Sequence, residues 1–174
     1  MAQNIQDFYR VAQERGFSRD FMLRVRSIGE DTFDEDDFVY ITAKQLPDRT
    51  INNQPVPYMG LSFNVPGTVS YPGSDGWAVT FRNDVDGIIR RKLEDWQDTV
   101  FSDETSVGDL SVRGEDRVIQ LDLIGDGGDE DVRTTYRLYG VYIKSLGTID
   151  YNSEGGGVIT TFPASLAYHF WRHE

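Results

Sequence analysis

The chain has no cysteine and only two histidines. The first absence excludes disulfides and every thiolate metal site. The second leaves little room for imidazole chemistry, and the pair His169 and His173 lies in a segment that reads as a strand and a tail, not as a zinc-binding helix face. Positive charge is also scarce: 17 Lys and Arg stand against 29 Asp and Glu, a net charge of −12. A chain so acidic lacks the cations that phosphate neutralisation demands, which argues against tight nucleic-acid binding. No apolar run approaches the ~18 residues of a membrane span. Residues 1–6 lack the basic and apolar regions of a signal peptide, so the expected place of assembly is the cytoplasm.

Catalytic signatures are missing too. There is no Gly-x-Ser-x-Gly elbow and no Walker A ending after Gly125–Gly128. The acidic clusters Asp31, Asp34, Asp36, Asp37 and Asp126, Asp129, Asp131 lack the EF-hand order and read as solvated loop charge. No catalytic residue, cofactor or metal site is assigned.

What is present is core-forming. Hydrophobic residues make up 39% and aromatics 13% of 174 residues, enough for one folded domain spanning 1–174. Trp77, Val79 and Phe81 alternate with Ala78, Thr80 and Arg82, the period of a half-buried strand. The period then changes. Val85, Ile88, Ile89, Leu93, Trp96 and Val100 fall at helical spacing, with Asn83 or Asp84 placed to cap the helix.

Other segments read as strands: 20–28, 38–44, Leu61 to Val65, Ile119 to Leu123, 132–143, and a last run from Val158 to Phe170 interrupted by Pro163, which suggests a bulge or an edge position. Glu30–Asp37 reads as an acidic hairpin-like loop, and 102–116 as polar loop. A short helix over 4–15 groups Ile5, Phe8, Tyr9 and Ala12 on one face and ends at Gly16. The stretch 45–60, with Pro47, Pro55 and Pro57, reads as an extended loop; Pro55, Val56, Tyr58 and Met59 make it an interface candidate. The expected fold is mainly β: seven or eight strands in an antiparallel sandwich or partial barrel, one flanking helix, and a helical arm over 1–18.

Trp77-x-Val79-Thr80-x-x-Asn83-Asp84, then a helix ending Asp95-Trp96-Gln97, resembles the tail tube protein family of contractile-tailed bacteriophages. Three more segments follow in the family's order: Ala43-Lys44-Gln45-Leu46-Pro47, Tyr139-Gly140-Val141-Tyr142 through Leu146-Gly147, and a final strand ending Tyr168-His169-Phe170-Trp171. Lys144-Ser145 stands where relatives often carry a proline. The resemblance implies hexameric rings with a continuous inner β-barrel, stacked helically inside a sheath. Its implied partners are the sheath, baseplate and tail-terminator proteins and, in the lumen, the tape-measure protein and then DNA that passes without tight binding. The implied location is the virion tail. Lumenal carboxylates would repel passing DNA.

On this resemblance the inter-subunit candidates are Ile5, Phe8 and Tyr9, the 46–60 loop with Pro55, Val56, Tyr58 and Met59, and Tyr168, Phe170 and Trp171; Trp77, Asn83, Asp84 and Trp96 are structural. Two alternatives stand: the inner tube of a contractile injection or type VI secretion system, and an acidic β-sandwich carbohydrate-binding module.

Overall fold

A computed structural model describes residues 5–16, 18–29, 33–43, 45–71, 76–108, 117–128, 130–151 and 156–174. In chain order these form α1 (Ile5–Arg15), β1 (Leu23–Ile28), β2 (Ile41–Ala43), β3 (Thr50–Tyr58), β4 (Leu61–Ser70), β5 (Trp77–Arg82), α2 (Ile88–Val100), β6 (Phe101–Ser102), β7 (Val107–Gly108), β8 (Val118–Ile124), β9 (Val132–Tyr139), β10 (Tyr142–Leu146), β11 (Thr161–Ala167) and β12 (Phe170–His173). Short 3-10 turns occupy Asp20–Met22 and Glu35–Tyr40.

Two four-stranded antiparallel sheets dominate, ordered β1-β8-β9-β12 and β10-β11-β5-β2. They share one core. Trp77, Val79 and Phe81 of β5 and Phe162, Ala164 and Leu166 of β11 meet Ile119 and Leu121 of β8 and Leu138 of β9. The alternation read in the Trp77 strand is therefore the alternation that is buried, and Phe81 stacks on its cross-strand neighbour Phe162 at 5.6 Å. Helix α2 adds Ile89, Leu93 and Trp96 to the same core. The mainly β class and the flanking helix are as expected, and no barrel closes among the described residues.

The helix starts later than the sequence period suggests. Val85 lies in a turn outside α2 and is exposed. The N-cap position is held by Gly87 (φ +68°), not by Asn83 or Asp84, yet the Asp84 carboxylate reaches the first turn and accepts the backbone N–H groups of Ile88 (2.8 Å) and Ile89 (3.2 Å). Both would otherwise be orphaned at the first turn. Asp84→Ala is expected to cost about 1 kcal/mol, read as a lower urea midpoint with an unchanged slope. Asn83 instead donates to the Tyr151 hydroxyl at 3.0 Å.

Several other expectations are corrected. The strand predicted over 20–28 begins at Leu23, after the 3-10 turn. The strand predicted over 38–44 shrinks to β2, because Glu35–Tyr40 coils into a 3-10 turn. That turn is tied to α2 by Lys92, which bonds Asp34 at 3.0 Å and also Asp37. The Asp37 bond, then that of Asp34, raises the Lys92 pKa above its ordinary value. There are twelve strands among the described residues, not seven or eight.

The single strand predicted over 132–143 is two. It breaks at Gly140, whose φ of +67° favours glycine. β9 then stays in the first sheet while β10 joins the second. The last run splits in the same way, β11 in the second sheet and β12 in the first. The two crossings touch. The His169 N–H donates to the Tyr139 carbonyl at 2.9 Å, and the His169 ring occupies the space a Cβ on Gly140 would need. Pro163 is not at an edge either, since β11 runs between β10 and β5. The ladder adapts on the neighbouring strand, where the register slips between Ile143 and Ser145 and the Pro163 carbonyl accepts the Gly147 N–H.

Candidate functional site

The segment expected to be a loop over 45–60 is the first arm of a β-hairpin. β3 and β4 pair antiparallel, Tyr58 opposite Leu61 and Val56 opposite Phe63, and every residue from Thr50 to Val69 is exposed. The prolines misled because they disfavour central strands. In a two-stranded ribbon each strand keeps a free edge. Pro55 and Pro57 are two apart, so both imide nitrogens face the same side.

The turn is Met59-Gly60, with φ of +47° and +78°. Positive φ at both central residues is the signature of the type I′ hairpin turn. That Gly, set between alternating apolar residues, is the signal that joins Leu61, Phe63 and Val65 to the preceding segment. Met59 is an unfavourable residue for this conformation. Met59→Asn is expected to stabilise the hairpin by about 1 kcal/mol, read as slower amide exchange across β3 and β4.

Cross-strand pairing separates the two faces. Val56, Tyr58, Leu61, Phe63 and Val65 share one; Pro55, Pro57, Ser62 and Asn64 share the other. No residue from Thr50 to Ser70 is charged, in a chain where 26% of residues are. An isolated two-stranded ribbon is marginal in water. One with a contiguous apolar face and no charge to desolvate is suited to being covered.

The hairpin is anchored where its strands leave the sandwich. The Trp77 indole N–H donates to the Gln45 carbonyl at 2.7 Å. The Asp48 carbonyl accepts two bonds, from the Tyr168 hydroxyl at 3.1 Å and the Trp171 indole N–H at 3.0 Å. Pro47 between them is buried. After β4, Tyr71 sets its ring edge-on against both Tyr168 and Trp171. Burial raises the Tyr168 pKa, so the hydroxyl remains a donor through neutral and mildly alkaline pH.

The predicted interface residues therefore divide. Pro55, Val56, Tyr58 and Met59 lie on the exposed hairpin, Met59 being 86% exposed at its tip. Tyr168 is only 5% exposed; with Trp171, it faces the hairpin root within the same chain. Phe170 stacks on Tyr139 at 4.9 Å on the edge strand β12. Ile5, Phe8 and Tyr9 are exposed on α1.

A second surface lies on the first sheet's outer face. Arg24, Arg26, Arg133, Arg137 and Arg172 emerge there around Asp122, which is 3% exposed. Asp122 accepts bonds from Thr135 (2.7 Å), Gln120 (3.2 Å) and Arg26 (3.4 Å). Arg137 pairs with Glu174 at 3.2 Å. Paired arginines beside stacked aromatics suit a protein contact.

No family model and no curated protein matches the chain. Solved structures do. A chain in the extended-state sheath–tube complex of the PVC extracellular contractile injection system superposes with a TM-score of 0.60 at 15% identity, covering 99% of each chain. One in the sheath/tube terminator structure of that system gives 0.59 at 16% identity over 90% of this chain and 95% of that one. The tube-terminating cap of the anti-feeding prophage gives 0.51 at 13% identity over 91% of each. At such identities the likeness is one of fold, and it agrees with the contractile-tail resemblance carried by the Trp77 strand, its helix and the terminal aromatics. The chain has the tube-protein fold of contractile injection systems.

Proposed function

We propose that this chain is a structural, non-enzymatic subunit of the inner tube of a contractile bacteriophage tail. Six copies form a ring, and the rings stack helically into a hollow conduit within a sheath, between a baseplate and a terminator. The tape-measure protein occupies the lumen during assembly and DNA passes through it during infection. The observation that carries this reading is the uncharged hairpin: its apolar face is exposed in the single subunit and needs a cover. A second copy supplies one that neither buries charge nor ends the series, since head-to-tail contacts repeat. Sheet edges β1, β2, β10 and β12 offer the backbone pairing that joins neighbours within a ring.

The alternative, an injection-machine tube, is supported by the PVC and anti-feeding prophage structures. The two share the assembly and differ in cargo. Purified protein, concentrated and imaged by electron microscopy, is expected to show rings or hollow tubes with six subunits per layer. Monomers at every concentration, retained on a glycan surface, would overturn the tube reading in favour of a carbohydrate-binding module. Nuclease-protected DNA in particles from producing cells supports the phage tail; headless particles carrying protein cargo support the injection machine.

A further inference from the structure

We propose that Trp77, Tyr168 and Trp171 are positioning residues for assembly: together they clamp the hairpin root and set the angle at which its apolar face meets a second copy. The inference rests on the tube reading for the partner, but the clamp is visible in the subunit alone.

The geometry is that of a cantilever. β4 has 10 residues. At about 3.3 Å per residue the hairpin reaches about 33 Å from its root. A swing of about 10° at the root therefore moves the tip by about 6 Å, more than the span of a side-chain contact. Docking an apolar face requires the root to be held far more tightly. Nothing within the ribbon can do this, because both its faces are exposed.

The root is held from both sheets. Trp77 opens β5 in the second sheet, while Trp171 belongs to β12 in the first. Tyr168 sits at the crossing between β11 and β12. One carbonyl, that of Asp48, receives donors from Tyr168 and Trp171. Two bonds converging on one acceptor fix its direction as well as its distance. Trp77 holds Gln45 three residues earlier, so the approach to β3 is restrained at two points. Tyr71, just past the end of β4, packs against the same two rings. These aromatic groups carry the donors that a purely space-filling core would not need.

The absence of cysteine permits a direct test. Spin labels on Ser62→Cys near the tip and Asp98→Cys on α2, both exposed, report the hairpin angle as a distance distribution. In the otherwise unchanged chain the distribution is expected to be narrow. Tyr168→Phe with Trp171→Phe removes both donors to Asp48 and keeps an aromatic ring at each position. It is expected to broaden the distribution at least twofold and to raise the protein concentration needed for assembly at least tenfold. Far-UV circular dichroism should be unchanged. Tyr168→Phe alone, which retains the Trp171 bond, should fall between. An unchanged distribution in the double variant overturns the clamp. A broadened distribution with assembly at the original concentration overturns its positioning role. A broadened distribution in the double variant, with an unsubstituted chain that itself never assembles, overturns the tube reading and leaves the clamp standing.

Discussion

Placing carboxylates on the hairpin's apolar face, Val56→Asp with Phe63→Asp, is expected to abolish assembly while leaving the subunit folded. The two residues sit opposite each other across the β3–β4 ladder and both are exposed. Their replacement therefore removes little from the monomer's own core, and the urea midpoint should stay close to that of the parent. In the tube proposed above both side chains would be covered. Fully burying an apolar side chain of this size contributes about 1.5–3 kcal/mol, and these two, 44% and 53% exposed in the free chain, would gain roughly half of that each. Losing both, at about 1.4 kcal/mol per tenfold, raises the concentration needed for assembly by about 10–10²-fold. The cost of desolvating two carboxylates adds to this. Sedimentation of polymer across a concentration series measures the effect. Asn64→Asp on the opposite face is the control and should change the threshold much less. Polymer formed by the double variant at the parent's threshold would remove the hairpin from the interface.

Phe81→Ala is expected to have the largest effect on the fold itself. Phe81 is fully buried, stacks on Phe162, and lies in the cluster shared by both sheets. Emptying such a site costs about 3–5 kcal/mol, transfer and cavity together. A domain's whole stability is about 5–15 kcal/mol. The variant should melt about 10 °C lower, at about 2–4 °C per kcal/mol for a chain of this length. Val79→Ala, in the same strand, deletes less volume and should cost less. A Phe81→Ala melting temperature within a degree or two of the parent's would mean that the core described above is not the one that holds the molecule together.

The core was legible because its residues keep the period of their element: Trp77, Val79 and Phe81 bury one face of a strand at period two, and Ile89, Leu93 and Trp96 bury one face of a helix at period 3.6. The hairpin was only half legible. Its prolines and polar residues suppress a strand pattern on β3, and its apolar face has no partner among the described residues to confirm the period. Gly60, with the alternation on either side, was the usable signal. The aromatic root could not be read at all. It joins Gln45 and Asp48 to Tyr168 and Trp171, and carbonyls of the main chain leave no trace in residue identity. Tyr168, an aromatic residue near the end of the chain, reads as an interface candidate for want of that information.

The paired sheet crossings have a mechanical meaning. At one corner the chain passes from the first sheet to the second through Gly140, and back again through His169, each crossing braced on the other. A sandwich whose layers meet only through side chains can slide one layer over the other by exchanging contacts. Here such sliding would have to stretch two covalent backbones that run between the layers at the same place. The subunit is therefore stiff against shear along that corner, the kind of load a hollow rod bears when it is driven forward from one end.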